Sequence, residues 1–255
     1  MKVLYVSMGG RQWKGDSELF PREMASRVRV EIDQYVMDGS TPDDASHFYK
    51  NPDYFQKEHG IGAAKDYDVI VYTGHDGSSY EAAQDVAALV KAHNGVLGAK
   101  PAMFLRCSHF FAAGYYETYR ELLGLGSLSH EPAKPEGTYK FPNSADVCVE
   151  GIDTSNQYAP EDVCTNTYYP NGGYYGRSLV ALVQVEKTEF IHPIVWKYEY
   201  SNNLSGGSTV HPRMFTHTYD MSSGGGDAPF TRVVWDIIAR GLIWVAGKDN
   251  AAFLR

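Results

Sequence analysis

Residues 66–77, DYDVIVYTGHDG, and residues 100–111, KPAMFLRCSHFF, bracket the stretch whose reading decides the fold. Val69, Ile70, Val71 and Tyr72 form a short run rich in β-branched residues, as expected of a strand buried on both faces. The run stops at Gly74-His75-Asp76-Gly77. Ser78 and Glu81 then form an S-x-x-E capping box, which signals a helix start. Ala82, Ala83, Val86, Ala87, Leu89 and Val90 follow at helical spacing and would cover the sheet. Gly95 and Gly98 end that helix, and Ala102 to Leu105 read as the next strand. The unit is β-α-β, so the two strands are expected to be parallel with a right-handed crossover. In such sheets ligands lie beyond the carboxyl ends of the strands. Those ends carry His75-Asp76 and Arg106-Cys107-Ser108-His109, two polar clusters on one rim. That rim is the candidate site.

Working outward, 255 residues suit a single domain spanning 1–255 with a sizeable core. A net charge of −8 and a pI near 5.6 argue against a nucleic-acid or anionic-membrane partner. MKVLYVSMGG turns polar too soon for a signal peptide, and no apolar run approaches a transmembrane length. Cys107, Cys148 and Cys164 make an odd count without finger spacing, which favours a reducing compartment. A Cys148–Cys164 bridge is the less favoured alternative. A cytoplasmic protein is expected.

Val3 to Ser7 reads as a buried strand, followed by Met8-Gly9-Gly10, either a plain turn or a ligand loop. The pair lacks G-x-G-x-x-G, so no nucleotide cofactor is expected. Residues 21–37 fit a helix through Met24, Val28, Ile32 and Val36, yet Val28, Val30 and Ile32 alternate like a strand. A helix followed by a second strand is expected. Residues 38–60 read as a turn-rich loop. Tyr115 to Leu123 reads as a short helix, and Gly126 to Gly137 as a loop holding His130-Glu131-Pro132. Residues 138–178, rich in Tyr, Asn, Pro and Gly, read as an irregular excursion. Its tyrosines and asparagines would suit a polyhydroxyl ligand if they line a rim, or a plain surface if they do not. Leu179 to Val185 and Ile194 to Tyr198 read as two strands, and Ser201 to Ser208 as a loop or lid. Arg213 to His217 is a further strand with Tyr219-Asp220 just past it. Pro229 to Val245 is a closing helix with Val234, Ile237, Ile238, Gly241, Leu242 and Val245 on one stripe.

Several of these pieces carry a resemblance. DYDVIVYTG (66–74), AMFLRCSHF (102–110), YRELLGLGSLSH (119–130), PIVWKYEY (193–200) and RGLIWVAGK (240–248) resemble, in the same order, short motifs of the ThuA-like trehalose-utilisation family. The resemblance implies an α/β fold of the flavodoxin-like, class I glutamine amidotransferase-like type, a three-layer sandwich around a mostly parallel sheet. It also implies carbohydrate utilisation, with action on a keto-disaccharide or a glycoside. The chain departs from the family pattern at Arg106, where the family has His, at Cys107, and at Thr218-Tyr219-Asp220, where the family has Gly-His-Asp.

The chemistry expected on the rim follows from residue type. His75, His109 and His217 each end a strand, with Asp76 and Asp220 near. Imidazoles with carboxylates suit proton transfer on a sugar hydroxyl or carbonyl, or a divalent metal such as zinc held by His75, His109 and His217. His75 and His109 are the candidate proton-transfer pair, and Asp220 would orient one of them. Trp13, Arg106, Asp76, Tyr219 and His217 are candidate substrate contacts. His130 and His192 rank next. Cys107 follows a strand and precedes a helical stretch, the position of an activated thiolate nucleophile; a buried thiol without chemistry is the plainer reading. The partner expected is a small sugar-like molecule, and a homo-oligomer is left open. The alternatives are a non-catalytic sugar-binding module and a cysteine-dependent amidotransferase-like hydrolase.

Overall fold

The computed structural model describes residues 1–8, 14–36, 66–74, 101–105, 128–131, 138–155, 167–170, 177–186, 191–199, 202–203, 209–210, 213–217 and 229–255. Strand β1 (Lys2–Met8) leads to helix α1 (Lys14–Arg27) and strand β2 (Glu31–Val36). The ambiguous 21–37 segment thus divides as a helix and then a strand. Strands β3 (Val69–Gly74) and β4 (Ala102–Leu105) are the two runs of the opening stretch. The helix expected between them, and that expected at Tyr115 to Leu123, lie outside the described residues.

The later strands are β5 (Leu128–Glu131), β6 (Thr138–Lys140), β7 (Thr167–Pro170), β8 (Arg177–Glu186) and β9 (Ile191–Glu199). Two short strands, β10 (Asn202–Asn203) and β11 (Thr209–Val210), precede β12 (Arg213–His217). Helix α2 (Pro229–Val245) and the single turn α3 (Asn250–Phe253) close the chain.

Eight strands form one sheet in the order β2-β1-β3-β4-β12-β9-β8-β6. The first five are parallel to one another, and β9, β8 and β6 extend the sheet with antiparallel pairings. Val3–Ser7, Val69–Thr73 and Ala102–Leu105 lie side by side, as their doubly apolar character requires. The parallel part follows the 2-1-3-4-5 order found in doubly wound sheets, with its topological switch between β1 and β3.

One face of the sheet carries α1 and α2. Val3, Tyr5, Val69, Val71, Met103, Leu105, Phe215 and Val195 share a buried cluster with Phe20 and Met24 of α1 and Val234, Ile237, Ile238 and Leu242 of α2. Tyr5 stacks on Phe20 at 4.7 Å between ring centres, and Phe20 in turn meets Trp235 at 6.5 Å. Leu4 and Ile70, one residue out of phase with that set, are also fully buried. Both faces of β1 and β3 are therefore covered, at about 1.5–3 kcal/mol for each large apolar side chain. Gly241 lets α2 approach β12 closely: a Cβ there would collide with Cε2 and Cδ2 of Phe215.

Three expectations are corrected. Residues 128–131, expected within a loop, form β5, which pairs with β7 in a separate antiparallel ribbon with His130 opposite Tyr168. The pairing joins segments almost forty residues apart, and neither four-residue segment has enough alternation to announce a strand. Residues 201–208, expected as a loop or lid, contain β10, which pairs with β11. The excursion at 138–178 likewise supplies β6, β7 and the first residues of β8.

Candidate functional site

The ends of the parallel strands fall in one row. Val36 pairs with Ser7, Ser7 with Thr73, Thr73 with Leu105, and Leu105 with His217. One residue beyond the row, Met8 stands opposite Gly74 at the switch between β1 and β3. The described parts of the strands preceding His75-Asp76, Arg106-Cys107 and Thr218-Tyr219-Asp220 therefore reach the same edge within one residue of one level. Neighbouring strands are about 4.8 Å apart, so the ends of β3, β4 and β12 span roughly 10 Å of that edge.

Trp13, His75, Asp76, Arg106, Cys107, His109, Tyr219 and Asp220 lie outside the described residues. His217 is placed by its backbone as the last residue of β12. His130 lies on the β5–β7 ribbon, and His192 is the second residue of β9. Among the described side chains, no three His, Cys, Asp or Glu converge on a point that could hold a metal ion. The side chains of His75, His109 and His217 are not among them.

The described residues of the antiparallel half of the sheet extend beyond that row. His217 pairs with Val195, but β9 begins four residues further out, at Ile191. Strand β8 accompanies it, with Val185 opposite His192 and Glu186 opposite Ile191. Strand β6 starts at the same height, where Thr138 pairs with Glu186. At about 3.3 Å per residue β9 reaches roughly 13 Å beyond the level of His217.

On the other side of that row, β9 carries a buried charge that sequence reasoning did not mark. Lys197 Nζ lies 2.7 Å from Asp146 Oδ2, with both side chains largely buried. The same ammonium sits 4.5 Å from the centre of the Trp244 ring, and the Arg213 guanidinium lies 5.1 Å from that ring. Arg213 Nη1 donates to the Trp244 carbonyl oxygen at 2.9 Å. The other carboxylate oxygen of Asp146 accepts from the Cys148 backbone N–H at 2.9 Å. Cys148 is a free thiol. Burial pushes its pKa up to about 12, against the pull of Lys197. A thiol held neutral in this way is a poor nucleophile, so Cys148 is structural. The one sequence signal for the pair is Lys197 itself, a charged residue inside the apolar run PIVWKYEY.

The amino-terminal edge of the sheet carries ordinary surface pairs. Lys2 lies 3.3 Å from Asp33, the Tyr67 hydroxyl donates to Asp33 at 2.7 Å, and Lys248 lies 3.5 Å from Asp68. Among the described residues, no helix is long and apolar enough to cross a membrane.

No family model matches the chain, and no curated protein matches it. Among solved structures, the glutaminase domain of Trypanosoma brucei CTPS with bound acivicin is similar, at 8% sequence identity and a TM-score of 0.40. That similarity covers 98% of this chain and 95% of the other. A likeness at this level does not assign an activity.

Proposed function

We propose that the chain is a cytoplasmic carbohydrate-utilisation protein of ThuA-like type, built on a flavodoxin-like, class I glutamine amidotransferase-like sheet. Its ligand would be a keto-disaccharide or glycoside bound beyond the carboxyl ends of the parallel strands. The observation that carries this reading is the row of strand ends. The common level of Thr73, Leu105 and His217 is what a site assembled from the segments after β3, β4 and β12 requires. Ligands of doubly wound sheets lie at that edge.

In this reading His75 and His109 are the proton-transfer pair. An imidazole changes charge near neutral pH, so one ring accepts a proton from a sugar hydroxyl while the other donates to a carbonyl or leaving oxygen. Asp220 orients one ring, and Arg106, Asp76, Trp13, Tyr219 and His217 hold the sugar. The test is to incubate the purified chain with trehalose, its keto form and simple aryl glycosides, following products by NMR. Turnover of one of these supports the reading. Turnover of glutamine with none of the sugars would replace it with thiol chemistry at Cys107, the second residue after the end of β4.

A further inference from the structure

The opposite edge of the sheet carries a second feature, independent of the sugar reading. We infer that Arg213, Arg240 and Trp244 form a binding site for a phosphate group, where β12 begins and α2 ends. Arg213 opens β12, four residues before His217, so the site lies about 13 Å down the strand from the rim. Both arginines are half-buried. The Arg213 guanidinium lies 5.1 Å from the centre of the Trp244 ring, and its Nη1 donates to the Trp244 carbonyl oxygen at 2.9 Å. Arg240 stands four residues before Trp244 on α2, so the two share a helix face with Cβ atoms about 5–6 Å apart. Its Nη2 lies 3.9 Å from where a Cβ on Gly151 would stand, and Arg213 Nη1 lies 3.9 Å from the same point on Gly247. Both glycines are left-handed, at φ 77° and 67°, so each guanidinium lies beside a turn that a side chain would strain.

Carboxylates are at hand, and neither arginine takes one. Glu199 is the register partner of Arg213 on β9, where opposite Cβ atoms are about 5 Å apart, yet the two form no ion pair. Asp236 precedes Arg240 by four residues, the spacing of a helical ion pair, but binds Arg27 at 2.7 Å. Asp146 binds Lys197, and Asp153 accepts from the Ser155 N–H and hydroxyl. Glu150, beside Gly151, is exposed and pairs with neither arginine. Among the described residues, the two guanidinium groups flanking Trp244 are thus without a counter-ion, in a chain whose net charge is −8. A phosphate group is the partner that suits them, because each planar fork can give two N–H donors to its oxygens.

The test is a titration of the full chain with inorganic phosphate, against sodium chloride at matched ionic strength, followed by tryptophan fluorescence and by melting temperature. The inference expects a saturable fluorescence change with phosphate alone, lost in Trp244→Phe. The melting temperature should rise along the same saturation curve, since a ligand of the native state stabilises it. Arg240→Gln should weaken phosphate binding about tenfold and leave the melting temperature of the free chain unchanged, because Arg240 bonds to no described residue. Arg213→Gln should weaken binding as much but also lower that temperature, because the Trp244 carbonyl loses one of its donors. Unaltered affinity in Arg240→Gln, or a response to phosphate no greater than that to chloride, overturns the inference. Neither result bears on the sugar reading, which concerns the other edge of the sheet.

Discussion

Leu105, at the end of β4, is the register partner of His217, at the end of β12, although 112 positions separate them in the chain. The described ends of β4 and β12 are thereby fixed side by side on one edge of the sheet.

The first prediction concerns the pair proposed to act there. His75→Ala and His109→Ala should each abolish sugar turnover while leaving the denaturation midpoint close to wild type. The double variant should be no worse than the worse single one, because groups that act as a unit are not additive. Steady-state rates and urea melts on the three variants decide it. Full activity in either single variant removes that residue from the site.

Cys107→Ser should retain activity on sugars within about tenfold, about 1.4 kcal/mol of barrier. The comparison of kcat/KM between the two proteins settles the point. A loss of several thousandfold, or an adduct on that sulfur by mass spectrometry, would make the thiol the nucleophile.

The Lys197–Asp146 pair should behave as a buried ion pair. Lys197→Met leaves the Asp146 carboxylate, which also accepts from the Cys148 N–H, without its cation. Removing one partner of such a pair costs about 3–5 kcal/mol, whereas replacing both by apolar groups costs much less. Urea denaturation of Lys197→Met, Asp146→Leu and the double variant should show that order. Equal losses in all three would mean that the segment around Asp146 is held by packing alone.

Gly241→Ala should destabilise the protein by about 1–3 kcal/mol, since the added methyl meets the buried Phe215 ring. The usual helix preference would predict the opposite sign, because alanine is the better helix former. Combining Gly241→Ala with Phe215→Leu should recover part of the loss measured for each alone. Thermal melts of the three proteins provide the check.

Alkaline pH should unfold the chain in part through Cys148. Its thiol stays protonated in the fold up to about pH 12 but ionises around its ordinary value of 9.0 once exposed. Above that value the unfolded state binds fewer protons than the native one, so stability falls with rising pH. Its contribution is complete below about pH 9 and is lost between there and pH 12. Cys148→Ala should flatten that part of the stability-versus-pH curve. The wild-type residue should react with iodoacetamide only under denaturing conditions, as peptide mapping would show.

The sequence by itself determined the elements whose signal is local. VIVY at 69–72, the apolar runs near residues 3 and 194, and the stripe from Val234 to Val245 each contain enough consecutive residues to fix their own period. Each appears where it was read. The β-α-β logic also predicted that β3 and β4 are parallel and adjacent, because one short crossover admits little else. Tertiary structure decided what depends on contacts between distant segments. The insertion of β12 between β4 and β9, the pairing of β5 with β7, and the burial of Lys197 against Asp146 each join residues tens of positions apart. No local period records such a partner. The reach of β9 belongs to the same class: that it begins four residues beyond the level of His217 is a fact of register. Register between distant strands is fixed by how whole faces pack, not by the residues of either strand alone.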